Sequence, residues 1–433
     1  MALDQILALL VLVCVVAALI WDKIRSDVVA LSGAAALLAT GTVRPVEVQG
    51  AFASPALIAL ASLFVIAYAL EISGVLDLLI RLATRLCRRL GAIGLWGLIA
   101  VCGVASAFLN NTPIVVLAAP VVRDVAKSID ITPERFLMPL SYISVLGGCC
   151  TLIGTSTNLL VNDMARNAGQ PTFSLFEMAP VGLAIALAGS AYLLLIGSRL
   201  LSDGAPGATS EALGDLPQGE SGYAGDPAVF QVPRPLDVRR AALSVSIFVG
   251  VVFVAGLGVL PIAASAFAGA VLLILLRVIT AEEAYRGLRP EVLLLIAGMV
   301  VVGLSLEVTG LASTATALFS GATQSLGPFG TLILLYGVTL VLTEILSNAA
   351  VAVLLTPVAV ALAETLGVSP RPFLVAVMMA ASAAFATPFG YQTNVLVFQM
   401  GGYSYMDFVK VGLPLNLLAW VVAVITIPMF FPF

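Results

Sequence analysis

The sequence contains no histidine among its 433 residues, and only 10% of the residues are charged. The absence of histidine excludes histidine-based catalytic triads, histidine-ligated metals and histidine-ligated haem. A soluble globular protein carries about 25% charged residues, so this composition also excludes an ordinary soluble domain. Cysteine is scarce, and its five copies lie in or beside apolar segments, which indicates small core residues rather than redox or metal-binding groups.

Apolar residues are what the chain has in quantity, at 61% of the sequence. Apolar runs of about 20 residues recur along its length, and each is long enough to cross a bilayer of roughly 30 Å as a helix. A β-barrel would show alternating segments of about 10 residues instead, and the sequence lacks that pattern. We therefore predict an all-α polytopic membrane protein. The candidate spans are residues 3–21, 26–44, 55–73, 135–160, 177–198, 240–259, 262–280, 291–309, 372–397 and 408–430.

Two apolar regions, 92–122 and 329–363, are too long for one span, and a polar stretch breaks each of them in the middle. We predict that both are re-entrant hairpins, in which two half-helices enter and leave the membrane on the same side. Residues 202–235 are rich in Gly, Pro, Ala and acidic residues, which predicts a disordered linker.

The two sides of this linker resemble each other. LNNTP at 109–113 matches LSNAA at 346–350, 237 residues later, and IGTSTNLLV at 153–161 matches FGYQTNVLV at 389–397, 236 residues later. The chain is therefore predicted to be a duplication, with residues 1–201 and 236–433 each forming five transmembrane helices plus one hairpin. An odd number of spans makes the second repeat inverted, and broken helices are expected to meet at the membrane midplane.

Basic residues predict the orientation in the membrane. The stretch RLATRLCRR, residues 81–89, carries four arginines and is predicted to lie as an amphipathic helix on the inner leaflet. With both termini outside and the linker in the cytoplasm, Arg44, Arg166 and Arg371 are the only members of the 20 Lys and Arg that fall outside. This distribution obeys the positive-inside rule, and we expect a multi-pass protein of the cytoplasmic (inner) membrane.

The polar breaks are the candidate functional site. Irregular backbone at depth must face protein or a water-filled cavity, and the N-terminus of a half-helix favours an anion. Amide, hydroxyl and carbonyl oxygens suit a hard cation such as Na⁺. The alternative is that these residues are helix caps and packing polar groups. The candidate substrate-binding residues are Asn110, Asn111, Thr112, Thr157, Asn158, Ser347, Asn348, Thr393 and Asn394.

FLNNTPIVVLAAP at 108–120 and FATPFGYQTNVLV at 385–397 resemble the divalent anion/sodium symporter family, the citrate-transporter-like branch of the ion transporter superfamily. The resemblance is to its sulfate or dicarboxylate permease subgroup, whose members commonly carry TrkA C-terminal domains. It implies Na⁺-coupled symport of a small divalent anion by an elevator-like mechanism, and a homodimer. It also implies two Na⁺ sites, formed by Ser106, Asn110, Asn111 and Gly154 in one repeat and by Thr343, Ser347, Asn348, Ala386 and Pro388 in the other.

This sequence departs from the family pattern at its second tip, where Ala349 replaces a threonine. That loss favours a compact oxyanion such as sulfate over a di- or tricarboxylate. No Lys or Arg is expected near the tips, so bound cations would supply the positive charge that holds the anion. The alternative function is a Na⁺/H⁺ antiporter that uses Glu344. For the symporter, the alternative coupling ion is H⁺ in place of Na⁺. A membrane enzyme is disfavoured because no paired carboxylates or nucleophile–base pair are visible, and nothing in the sequence indicates a nucleic-acid partner.

Overall fold

The computed structural model describes residues 2–21, 23–75, 78, 90–129, 131–201, 236–311, 314 and 320–433. Every regular element among these residues is a helix. In the first half they are α1 (Leu3–Trp21), α2 (Ser26–Ala39), α3 (Pro45–Phe52), α4 (Pro55–Ile72), α5 (Ala92–Ser106), α6 (Asn111–Ser128), α7 (Glu134–Gly148), α8 (Ser156–Asn167) and α9 (Ala179–Tyr192), which continues through a π-helical turn at Leu193–Gly197. In the second half they are α10 (Val238–Gly256), α11 (Ile262–Leu275), α12 (Ala281–Gly287), α13 (Pro290–Val308), α14 (Ser320–Thr343), α15 (Asn348–Leu366), α16 (Arg371–Ser382), α17 (Gln392–Gly401) and α18 (Tyr405–Phe430).

Helix length and apolar composition confirm the predicted class. Seven stretches of the described residues are long and apolar enough to cross a membrane: Pro45–Ile72, Ala179–Gly197, Val238–Gly256, Pro290–Val308, Leu326–Thr343, Asn348–Leu366 and Tyr405–Phe430. Two of the expected spans are instead pairs of shorter helices, α7 with α8 and α16 with α17. The protein is an all-helical, multi-pass membrane protein.

The order of helices repeats between the two halves, and equivalent helices exchange partners. Helix α2 packs on α13, and their counterparts α11 and α4 pack on each other. In the same way α8 contacts α15 while α17 contacts α6. This reciprocity is what two copies of one unit produce when they associate about a two-fold axis. These contacts follow the pattern that a duplication would produce, and the duplication and the inversion of the second copy both stay predictions.

The breaks in the helices lie a few residues earlier than the sequence predicts. The non-helical segments are 107–110, 149–155, 344–347 and 383–391, and the polar clusters begin the helices that follow them. Ser, Thr and Asn stabilise the first turn of a helix because their side chains accept hydrogen bonds from its free N–H groups. The residues that suggested unwinding therefore start α6, α8, α15 and α17.

Two predicted segments lie outside the described residues. They are the linker at 202–235 and the arginine-rich stretch at 81–89. Their predicted disorder and amphipathic helix stay predictions, as do the domain boundaries that the linker defines.

Candidate functional site

Four helix N-termini meet at one cavity of about 470 Å³. Its wall includes residues from both hairpin tips, which lead into α6 and α15. It also includes residues from the starts of α8 and α17, which follow the non-helical segments 149–155 and 383–391 (the unwound segments). These residues are Asn110, Thr112, Ser156, Thr157, Ser347, Asn348, Ala349, Gly390, Tyr391 and Gln392. The first N–H groups of a helix lack partners within it, and its N-terminus carries partial positive charge. The cavity wall is therefore rich in hydrogen-bond donors although few of its residues are cationic.

Three of these four helices start with a side-chain cap. Asn110 accepts from the Thr112 amide at 3.3 Å, Thr155 accepts from the Asn158 amide at 3.3 Å, and Ser347 accepts from the Ala350 amide at 3.3 Å. The fourth helix, α17, has Tyr391 at its N-cap position, and the side chain of this residue accepts no capping hydrogen bond. The capping interpretation of the polar residues is thus correct for part of the set, and it does not conflict with their exposure to the cavity.

The base of each hairpin tip is held by an equivalent hydrogen bond. The Ser106 hydroxyl donates to Oδ1 of Asn111, and the Thr343 hydroxyl donates to Oδ1 of Asn348 at 2.9 Å. All four residues are among the predicted site residues, and the structure brings them together in pairs. These bonds fix the asparagine amides behind the two tips.

The unwound segments are held by a second repeated pattern that centres on two threonines. Thr151 donates to the carbonyl of Ala107 and accepts from the Gly154 amide at 3.1 Å, while Asn158 Nδ2 donates to the Thr151 carbonyl at 2.9 Å. Thr387 repeats this arrangement: it accepts from the Gly390 amide at 3.1 Å, and Asn394 Nδ2 lies 3.3 Å from its carbonyl.

Sequence reasoning missed the role of Thr151. Thr151 and Thr387 are 236 residues apart, which is also the spacing of Asn158 and Asn394. This shared spacing marks the two threonines as equivalent residues of the repeat, and it could have predicted their matching roles.

Four predicted binding residues lie behind the cavity wall. Asn111, Asn158, Thr393 and Asn394 are fully or almost fully buried and do not line the cavity. Thr393 and Asn394 each accept a hydrogen bond from Ser141 at 2.7 Å. Oδ1 of Asn158 is buried with no hydrogen-bond partner among the described residues, which leaves one oxygen free for a ligand.

Oxygen atoms converge beside the first tip in a way that fits a hard cation. A methyl group added at Gly148 would lie 2.9 Å from Asn111 Oδ1 and 3.1 Å from the carbonyl oxygen of Gly154. The two oxygens therefore face one point, and hard cations prefer oxygen ligands. Ser106 adds its hydroxyl to the same asparagine oxygen. The structure thus brings together Ser106, Asn111 and Gly154 of the predicted first cation site, and the binding of a cation there stays a prediction.

The second tip differs because a carboxylate lies next to it. Glu344, which is alanine in the first repeat, accepts hydrogen bonds from the Ala386 amide at 2.9 Å, the Thr387 hydroxyl at 2.8 Å and Asn416 Nδ2 at 2.6 Å. Ala386 thus presents its N–H to Glu344, and Pro388 follows in the same non-helical segment. The carboxylate braces the second unwound segment against α14.

Arg289 corrects the expectation that no cationic side chain lies near the tips. It lines the same cavity, and its guanidinium carbon lies 5.6 Å from the centre of the Phe64 ring. Glu291 and Glu71 are close enough to interact with its charge. Hydropathy and the internal repeat do not predict this placement, because Arg289 precedes α13 and is far along the chain from both tips.

Broken helices whose N-termini surround one cavity in an all-helical membrane protein are typical of a membrane transporter. A protein-family model described as "Citrate transporter" matches residues 16–368 and 350–433. The chain therefore belongs to the citrate transporter family. This assignment also makes it a transporter rather than an enzyme.

Individual relatives agree with the family. The chain is 26% identical to the "Uncharacterized transporter sll0640" of Synechocystis sp., covering 95% of this chain and 94% of the relative. It is 41% identical to "Sodium/sulfate cotransporter 2" of Chlamydomonas reinhardtii, over 26% of this chain and 13% of that protein. The fold is similar to the crystal structure of the Alcanivorax borkumensis YdaH transporter, with a TM-score of 0.61 at 16% identity over 88% of this chain and 86% of that one.

Proposed function

We propose that this protein is a secondary active transporter that carries a small divalent anion together with Na⁺ across the cytoplasmic membrane. The observation that carries this proposal is the convergence of four helix N-termini on one cavity. Free N–H groups and helix dipoles stabilise an anion there without a dedicated cationic pocket. The partial matches to proteins named sodium/sulfate cotransporters support both the ion and the substrate class.

The charges around the cavity give a physical reason for Na⁺ coupling. Asp27, Glu291 and Glu344 line the cavity together with a single arginine, Arg289. Arg25 neutralises Asp27 at 3.0 Å, which still leaves two carboxylates against one guanidinium. A dianion entering this cavity needs additional positive charge, and cations bound beside Asn111 and Asn348 would supply it.

The proposed orientation also assigns a conformation. The cavity extends from the tips to the first residues of α2 and α13, where Asp27 and Arg289 lie. These helix starts are cytoplasmic in the proposed topology, so the cavity would open inwards. The elevator-like motion and the homodimer implied by the family resemblance belong to the same proposal.

A Na⁺/H⁺ antiporter is the second candidate, because the Glu344 carboxylate lines the cavity. Its hydrogen bonds count against that role. Three donors already occupy its oxygens, and protonation would remove at least part of the support that it gives to the second unwound segment. We therefore assign Glu344 to bracing and place the antiporter second.

Uptake into proteoliposomes tests the proposal. Labelled sulfate, succinate and citrate are supplied with an inward Na⁺ gradient, with a K⁺ gradient of equal size, and with a pH gradient alone. We expect accumulation of a divalent anion only with Na⁺. Proton movement driven by Na⁺ in the absence of any anion would support the antiporter instead.

A further inference from the structure

Tyr391 breaks the symmetry between the two repeats. Its equivalent in the first repeat is Thr155, and the two residues have nearly the same backbone angles, with φ of −145° and −132°. Thr155 caps α8 with its hydroxyl, whereas Tyr391 provides no cap for α17. Losing a cap costs about 1 kcal/mol, so a tyrosine at this position is not explained by the stability of its own helix.

The Tyr391 hydroxyl reaches the opposite repeat instead. It accepts a hydrogen bond from Asn111 Nδ2 at 2.8 Å, and the next residue, Gln392, accepts one from the Thr112 hydroxyl at 3.2 Å. Thr155 caps its own helix instead, and the hydrogen bonds among the described residues include none from Thr155 or Ser156 to the second tip. The first tip is thus bridged to the second unwound segment, whereas the second tip lacks the matching bridge to the first.

The hydroxyl hydrogen of Tyr391 has no acceptor among the described residues, while the oxygen is already engaged by Asn111. Tyr391 also lines the cavity, beside Asn110 and Thr112 at the N-terminus of α6. A phenol that has accepted one hydrogen bond and retains a free donor is suited to bind an anion oxygen.

We propose that Tyr391 is a specificity-determining residue that donates a hydrogen bond to an oxygen of the transported anion at the N-terminus of α6. The inference rests on the proposed function. It places the anion nearer the first tip than the second, because only the first tip has this additional donor. A compact oxyanion can use such a one-sided site fully, whereas a long dicarboxylate needs donors at both ends.

The test is the KM of labelled sulfate uptake at saturating Na⁺ for Tyr391→Phe, which removes the hydroxyl and keeps the ring. Loss of a hydrogen bond to a charged group should raise this KM about 10-fold or more, with little change in the Na⁺ concentration that gives half-maximal uptake. Tyr391→Thr restores the residue of the other repeat and should raise the KM in the same way while α17 gains a cap. Tyr192→Phe is the matched control, because Tyr192 bonds the Val411 carbonyl and does not line the cavity.

An unchanged KM for Tyr391→Phe in a protein that transports sulfate would overturn the inference alone. A change confined to the Na⁺ dependence would also overturn it, because Tyr391 would then act only by positioning Asn111. Absence of Na⁺-driven anion uptake by the unmodified protein would overturn the proposed function, and this inference with it.

Discussion

At the residue scale, the two tip asparagines are the part of the site that the sequence predicts best. Asn111 and Asn348 are related by the internal repeat, and so are Ser106 and Thr343, which hold them. The contact between Asn111 and Tyr391 was not predictable, because it joins residues 280 positions apart that are not equivalent in the repeat. Internal symmetry reveals what the halves share, and it cannot reveal where they differ.

Replacing either asparagine should stop transport without unfolding the protein. Asn111→Ala and Asn348→Ala each remove an amide that is held at the base of a tip, and we expect anion uptake to fall at least 10-fold, about the effect of losing one polar contact to a charged ligand. Asn167→Ala is the control, because Asn167 is exposed at the end of α8. The measurement is Na⁺-driven uptake in proteoliposomes, with thermal unfolding to check the fold. Uptake near the unmodified level in either tip variant would refute the assignment of that tip.

Ala349 predicts the substrate preference. It lines the cavity where the first tip has Thr112, so the second tip offers one hydroxyl fewer. An unmatched polar contact to a buried charged group costs about 1–3 kcal/mol, and a dicarboxylate that spans both tips would lose it. We expect sulfate to compete better than citrate or succinate against a labelled substrate at saturating Na⁺. Ala349→Thr should shift this preference towards dicarboxylates, and stronger competition by citrate in the unmodified protein would contradict the prediction.

At the element scale, the existence of the broken helices was predictable and their packing was not. Polar residues inside long apolar runs predicted four breaks, and all four are present. The structure adds that backbones approach closely at glycines: a methyl group at Gly154 would lie 2.3 Å from the Gly148 carbonyl oxygen. Such close approaches depend on how two backbone segments are positioned relative to each other in the folded protein. Hydrophobic periodicity does not predict that positioning.

Gly148→Ala tests this packing. The added methyl would lie 2.9 Å from Asn111 Oδ1 and 3.1 Å from the Gly154 carbonyl oxygen, which is closer than ordinary van der Waals contact. It should therefore displace the oxygens of the proposed first cation site. We expect the Na⁺ concentration for half-maximal uptake to rise several-fold, since overpacking costs about 1–3 kcal/mol. Gly50→Ala is the control, because a methyl group there has nothing within 4 Å. An unchanged Na⁺ dependence would show that these oxygens do not hold the ion.

At the scale of the whole molecule, the three cations that the proposed topology places outside share a structural property. Arg44 pairs with Glu47 at 2.5 Å, Arg166 with Asp163 at 3.0 Å, and Arg371 with Glu177. Each is therefore neutralised by a nearby carboxylate, which lowers the electrostatic bias of the outer loops. The ion pairs therefore add to the contrast between the two sides that the count of Lys and Arg predicts, and the orientation itself stays a prediction.

Labelling from one side of the membrane tests that orientation. A cysteine introduced by Asp215→Cys in the linker should react with a membrane-impermeant maleimide only after the cytoplasmic face is opened, because the linker is proposed to lie inside. Asn167→Cys, at the C-terminal end of α8, should react in intact cells because that helix end is proposed to lie outside. The unmodified chain measures background labelling from its own cysteines, of which Cys14 is exposed. Since one span, residues 177–198, separates Asn167 from the linker in the proposed topology, labelling of both new cysteines from the same side would require a different number of crossings. Exchange of the two results would keep the fold and reverse its direction, and the cavity beside Asp27 and Arg289 would then open to the outside.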